Sequence, residues 1–363
     1  MSLTSTLTII DGDGHVFEDL DAIKKLIPGK FGAAFASGAL TDRHLMPPHG
    51  GFHAMPVRSY GMEGRQPPGV EGWLEFLEGV PIAHSVLYPT WGLHIGLERD
   101  DAFAPVLCRA YNDWVTETYA SHPSGKFSAV ALIPMQTPAE AAKEIRRAKQ
   151  ELGLVAGLVP SHGLSNHLGS SLYWPAYEAA EEVGLPLSFH GAWHQGYGFD
   201  DLNSFAAAHA LGHPFGLLIT LAGLTFNGVY DRFPGLRTAY LEGGSAWMLL
   251  AMERFTESFG AFQPAEYGTM LQLADGQKVD DYLISLMQAE RLMIGVEGGE
   301  SQLANLGDTA GCFPFLYASD FPHEVDIESC RHEIEEFSEL GLSAEQQALV
   351  LGDNARKFYN LKA

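Results

Sequence analysis

The sequence predicts a closed (β/α)8 barrel, and three observations carry that prediction. Eight short apolar runs of strand length occur along the chain, most of them are separated by segments of helical spacing, and 363 residues exceed the roughly 250 that such a barrel takes. An open, doubly wound sheet is the competing arrangement. It is disfavoured because no glycine-rich phosphate loop of the GxGxxG or GxxxxGK[ST] kind follows any of the runs. The chain reads as one domain, 1–363, with an insertion or lid at about 31–72 after the first strand.

The first run begins at Leu7 and stops at Gly12 and Gly14, so it reads as a buried strand carrying Asp11, Asp13, His15 and Glu18 at its C-terminal end. Residues two apart on a strand face one way, which sets Asp13 beside His15. A carboxylate beside an imidazole on a strand end suits a divalent metal; a turn in which Asp13 caps backbone amides is the other reading. Leu20 to Lys25 is a helical patch. Phe31 to Gly72 is dense in Gly, Pro, His and Met and is expected to fold over the site or against a neighbouring subunit.

From there a strand-then-helix rhythm begins. The strands expected are Ala83–Pro89, Phe127–Pro134, Leu154–Pro160, Leu185–His190, Leu236–Leu241, Arg291–Val296 and Phe313–Ser319. The helices expected are Asp101–Ala120, Pro138–Leu152 with Thr137 as its cap, Tyr173–Val183, Phe205–Phe226, Trp247–Phe259 and Ile327–Leu340.

Composition narrows the function classes. A formal charge of -23 argues against nucleic acid and against anionic membrane surfaces as partners, and no run of eighteen or more apolar residues or signal-peptide pattern occurs. The expectation is a cytoplasmic enzyme acting on a small molecule. Cys108, Cys312 and Cys330 lie far apart without CxxC spacing, as reduced core thiols would.

The working residues of such a barrel sit at the C-terminal ends of its strands. Asp13 and His15, His190, Glu242, Glu297 and Asp320 each stand as the first strongly coordinating residue after an apolar run. Singly, His190 reads as a core histidine and Asp320 as the cap of the last helix. Jointly, they repeat metal-ligand chemistry in one geometric slot.

These residues resemble the amidohydrolase superfamily, in the amidohydrolase-2 branch that includes the aminocarboxymuconate semialdehyde decarboxylase-like enzymes. The likeness covers nearly the whole chain and is carried by Asp11–His15, Leu87–Thr90, Leu187–His190, Val229–Leu236, Leu241–Gly244 with Trp247, and Ala318–His323. The resemblance implies a metal-dependent barrel with ligands at Asp13, His15, His190 and Asp320, binding zinc or manganese, with iron as the further option. Two departures stand out. Asp13-Gly14-His15 replaces the His-x-His of the best-known decarboxylase, and Glu242 stands where that enzyme has its catalytic histidine.

Three functions follow as hypotheses. The first is a metal-dependent hydrolase or non-oxidative decarboxylase of a small cyclic or aromatic carboxylic acid, with Asp320, Glu242 and His213 as the proton-handling candidates and Glu242 an acid if burial raises its pKa. The second is a non-heme diiron monooxygenase, for which His209, Glu297 and His323 are second-metal or supporting candidates. The third is a non-catalytic binding barrel. His209 and His213, four apart, share one face of a helix, which is equally what a polar helix face would show. Tyr88, Trp91 and His194 are expected in the substrate pocket, and a homodimer or higher homo-oligomer is expected from the long excursion.

Overall fold

Strand β1 (Ile9–Val16) is buried along its whole length, and seven more parallel strands follow it in chain order. They are β2 (Ile82–Pro89), β3 (Phe127–Leu132), β4 (Ala156–Pro160), β5 (Leu187–His190), β6 (Thr238–Leu241), β7 (Leu292–Val296) and β8 (Phe315–Tyr317). This is a computed structural model, and it describes residues 7–45, 67–191, 196, 198–262 and 270–362. Each strand pairs with the next, and helices lie between them, as in a closed parallel barrel.

The seam between β8 and β1 is closed beyond the end of β8. Asp320 N–H donates to the Asp13 carbonyl at 3.0 Å and His15 N–H to the Phe321 carbonyl at 2.7 Å. The Asp11 carboxylate fastens the same seam, accepting from Ser319 N–H and from Ser319 Oγ, both at 2.9 Å. A register shift between Asp11 and Gly14 sets three steps of β1 against two of β2. Asp13 faces His15, as alternation along the strand predicts, while the bulge leaves Asp11 on the Ser319 clasp.

Expected strands and helices match closely in the middle of the chain, where apolar runs and helical spacing are unbroken. The helix Phe205–Phe226 has the predicted bounds, and by length and composition its Ala206–Phe226 stretch is also apolar enough to cross a membrane, although half of it is buried against the protein. Thr137 sits at the N-terminus of the helix Pro138–Gln150 without a capping bond from its side chain, which donates to the Asp101 carbonyl instead. The chain past 340 forms further short helices, Ala344–Ala348 and Asn354–Phe358, beyond those expected from the sequence.

Within the excursion, short helices occupy Gly29–Ala36 and Asp42–Leu45, while residues 46–66 lie outside the described residues. The helix Val70–Gly79, which overlaps its end, braces the seam. Trp73 Nε1 donates to the His15 carbonyl at 3.1 Å, and Phe76 stacks on Phe321 with ring centroids 3.8 Å apart. Gly14 makes this possible, since a Cβ there would come within 2.5 Å of the Trp73 ring.

Candidate metal centre

Strand ends β1 and β5, with the turn after β8, bring four of the predicted ligands to one place. His15 Nε2 lies 3.5 Å from Asp13 Oδ1 and 3.4 Å from Asp320 Oδ1, and His190 Nε2 lies 3.3 Å from Asp13 Oδ2. Ligand bonds of about 2.1 Å separate neighbouring donor atoms by about 3.0–3.4 Å, so this is the spacing of a coordination shell. Both imidazoles are locked by backbone: His15 Nδ1 pairs with the Pro89 carbonyl at 2.9 Å and His190 Nδ1 with the Gly191 carbonyl at 2.7 Å. Each Nε2 is thereby turned inward.

The donor set fits a divalent ion on a further ground. Asp13 Oδ1, His15 Nε2 and His190 Nε2 are buried and make no hydrogen bond among the described residues. Orphaned polar atoms of this kind are costly unless something binds them. The charges agree. Burial pushes the Asp320 carboxyl well above its ordinary range, and Glu242, Glu297 and Asp13 push it further. Burial likewise raises Asp13, against the pull of His190. Burial opposes charge on His190, but Asp13 and Glu242 outweigh it and raise the imidazole to about 9. Burial, with His323 and His190 nearby, holds His15 well below its ordinary value, in the neutral form that ligates metals.

Beside this cluster, Glu242 Oε2 stands 3.2 Å from His190 Nδ1 and 3.2 Å from His213 Nδ1. The expectation that burial makes Glu242 a neutral acid is not met: burial favours it, but His213 and His190 hold the carboxyl well below the ordinary range. Glu242 and Asp320 both take left-handed backbone, φ 59° and 53°, which for non-glycine residues stores strain at the mouth. His323 Nδ1 lies 3.1 Å from Asp320 Oδ1 and its Nε2 3.0 Å from Thr90 Oγ1, so His323 holds Asp320 in place. Asp320 does not cap the helix that follows it, Ile327–Glu336; Asp326 does, accepting from Glu328 and Ser329 N–H.

A cavity of about 370 Å³ opens onto these groups, lined by His209, His213, Glu242, Asp320, His323 and Glu297 among others. Among the described residues, Glu297 belongs to no metal-type grouping, and as an exposed rim residue it is not gathered with His209. The pocket expectations divide. Tyr88 is fully buried, bonded to Ser188 Oγ at 2.7 Å and Tyr359 OH at 2.9 Å, and lies inside the barrel rather than on a pocket wall. Trp91 is half-buried on the turn after β2, with its ring against Phe17. His194 lies outside the described residues.

Sequence reasoning missed two supporting acids. Asp11 is the seam clasp described above, raised to about 6 by burial. Glu18 accepts from the amides of Trp91 at 3.0 Å and Gly92 at 2.7 Å, and so anchors the turn that follows β2. The signal available for both was an acid beside or within a buried apolar run, where it needs fixed partners.

A family model described as amidohydrolase matches residues 92–263. The chain is 24% identical over 268 residues to the 2-amino-3-carboxymuconate-6-semialdehyde decarboxylase of Dictyostelium discoideum, spanning 70% of this chain and 67% of that one. It is 33% identical over 97 residues to a gamma-resorcylate decarboxylase of a Polaromonas species, spanning 25% of this chain and 29% of the relative. In fold it resembles the 5-carboxyvanillate decarboxylase of Novosphingobium aromaticivorans, with a TM-score of 0.72 at 17% identity over 98% of both chains; that protein was crystallised with manganese and 3-methoxy-4-hydroxy-5-nitrobenzoic acid. All three are decarboxylases, which gives no support to the monooxygenase alternative.

Proposed function

We propose that the chain is a member of the amidohydrolase family and, on that premise, a metal-dependent, non-oxidative decarboxylase of small aromatic carboxylic acids. The observation that carries this reading is the convergence of Asp13, His15, His190 and Asp320 at the mouth of the barrel, three of them with buried donor atoms that make no hydrogen bond among the described residues. These four would hold the ion, and the mixed carboxylate and imidazole set suits manganese or zinc. When bound, such an ion supplies positive charge against the acid and a neighbouring oxygen of the substrate.

The remaining steps fall to side chains. Asp320 lines the cavity and touches the donor cluster, so it is the residue assigned to carry the proton to the ring carbon; the carbon–carboxylate bond then breaks and carbon dioxide leaves, with no net oxidation. His323 positions Asp320 through its Nδ1. Glu242 and His213, the other two proton-handling candidates, line the same cavity but are held against each other. Residues 31–72 are assigned the closing of the mouth, supported by the helix Val70–Gly79 that already braces it. A cytoplasmic compartment, supported by Cys108, Cys312 and Cys330 standing unpaired by disulfides, and a homodimer, expected from the long excursion, complete the proposal.

The test is to incubate manganese-loaded protein with a panel of ortho-hydroxybenzoic acids and follow carbon dioxide and the decarboxylated phenol. Release of both, lost on chelation and restored by manganese, is expected. Hydrolysis without carbon dioxide, or a product carrying an added oxygen atom, would overturn the reading.

A further inference from the structure

We infer that a second cavity, beside the end of β4, is a binding site for a small organic carboxylate with an apolar body. It has a volume of about 400 Å³ and shares no lining residue with the cavity at the metal centre. A space of that size holds one small ring compound. Leu97, Leu164 and Ile219 give it apolar lining, and Arg99, Ser161, His162, His167 and Thr220 give it polar lining. Three elements build it: the short helix Trp91–Leu97 with the turn that follows it, the loop after β4, and the helix Phe205–Phe226. Glycines fasten the loop at both ends. At Gly163, with φ 86°, a Cβ would come within 2.6 Å of the Gly96 carbonyl carbon, and a Cβ at Gly169 would run into the Gly223 carbonyl. The walls are therefore set before anything binds.

Two independent observations point to an anion. Ser161 and Thr220 are only 6% and 1% exposed, and the hydroxyl oxygen of each is buried without a hydrogen bond among the described residues. A buried hydroxyl in that state is costly, and a carboxylate is an acceptor for both. The second observation is charge. In a chain of formal charge -23, the described lining of this cavity holds Arg99 and two imidazoles and not one Asp or Glu. The cavity at the metal centre is the reverse, with Glu242, Glu297, Asp320, Glu324 and Glu333. An anion repelled by the rest of the surface is favoured at such a wall. Arg99 Nη1 donates to the Gly163 carbonyl at 2.7 Å, which fixes the guanidinium against the loop. A guanidinium carries five N–H donors, so that one bond leaves a pair to face the two oxygens of a carboxylate. The inference does not rest on the proposed reaction, in which none of these residues takes part.

The probe is para-bromobenzoate, whose bromine anomalous diffraction locates. Crystals of the manganese-loaded full-length protein soaked in it are expected to show bromine in this cavity, and crystals of Arg99→Gln none there. Bromine at the metal centre alone, or equal bromine in the variant's cavity, would overturn the inference. Calorimetric titration in solution should find the same site, weakened about tenfold or more by Arg99→Gln and by Thr220→Val. Arg99 is exposed and Thr220→Val keeps the side chain's shape, so both variants should melt as the wild type does. Unchanged affinity in both would overturn the inference, as would a crystal peak with no site in solution, which is binding at crystal concentration only. Bromine in this cavity of a protein that releases carbon dioxide from no acid would count against the proposed reaction alone.

Discussion

Asp13, His15 and His190 stand on strand ends, whereas His209 and His213 stand on an outer helix, and the two clusters differ in what fixes them. The strand-borne donors are held by the parallel ladder and, for His15 and His190, by backbone carbonyls at Nδ1, and all are buried. The helix-borne pair is placed by packing at Gly191, and His209 is only half-buried. Donors on a ladder cannot drift apart without breaking strand pairing, while donors on a helix move with it. The strand-end cluster is accordingly the tighter and more rigid of the two, and the helix cluster the more easily lost.

The largest effect that separates them is expected from His190→Asn, because His190 touches Asp13 and Glu242 at once. Metal content should fall, and turnover by about 10³-fold or more; a variant that keeps its metal would show that β5 does not contribute a ligand. Glu242→Gln sharpens the contrast. It should keep the strand-end metal with turnover lowered by less than the about 10²-fold of a lost general acid or base, since Asp320 carries the proton; a larger fall with the metal retained would move that role to Glu242.

Stability gives the next contrast, between the seam that carries the strand donors and the surface. Asp11→Ala leaves Ser319 N–H and Oγ without their buried acceptor and should cost about 3–5 kcal/mol in denaturant unfolding. A loss below about 1 kcal/mol would mean that the backbone bonds alone close the barrel. The smallest effect is a pH dependence. Burial raises Glu18 from 4.5 to about 7, so in the fold it keeps a proton that the unfolded chain has already released. Its contribution is fully present below about pH 4.5 and is lost as pH rises through about 7. Melting temperatures of Glu18→Gln should therefore fall less between those values than those of the wild type; parallel curves would show that Glu18 does not titrate there.

The strand-end cluster was legible because one rule, that barrel strands present their last residues at one mouth, turned separate apolar runs into a ring. His15, His190 and Asp320 each follow such a run, so no contact information was needed to gather them. The helix pair was legible only as a shared face, since its partner Glu242 comes from β6 and the meeting depends on how closely the helix packs. The Asp11 clasp was hidden by the bulge, which breaks the alternation used to read β1. Tyr88 was misread because its hydroxyl partners, Ser188 and Tyr359, are remote in sequence, and a tyrosine near a strand end looks the same whether its hydroxyl meets a ligand or the core.

The account stands on one metal held by strand ends, and anomalous diffraction at the manganese edge from metal-loaded crystals tests that directly. It predicts the strongest peak within bonding distance of Asp13, His15 and His190, with Asp320 at its mouth side. Manganese found only away from these residues would contradict it.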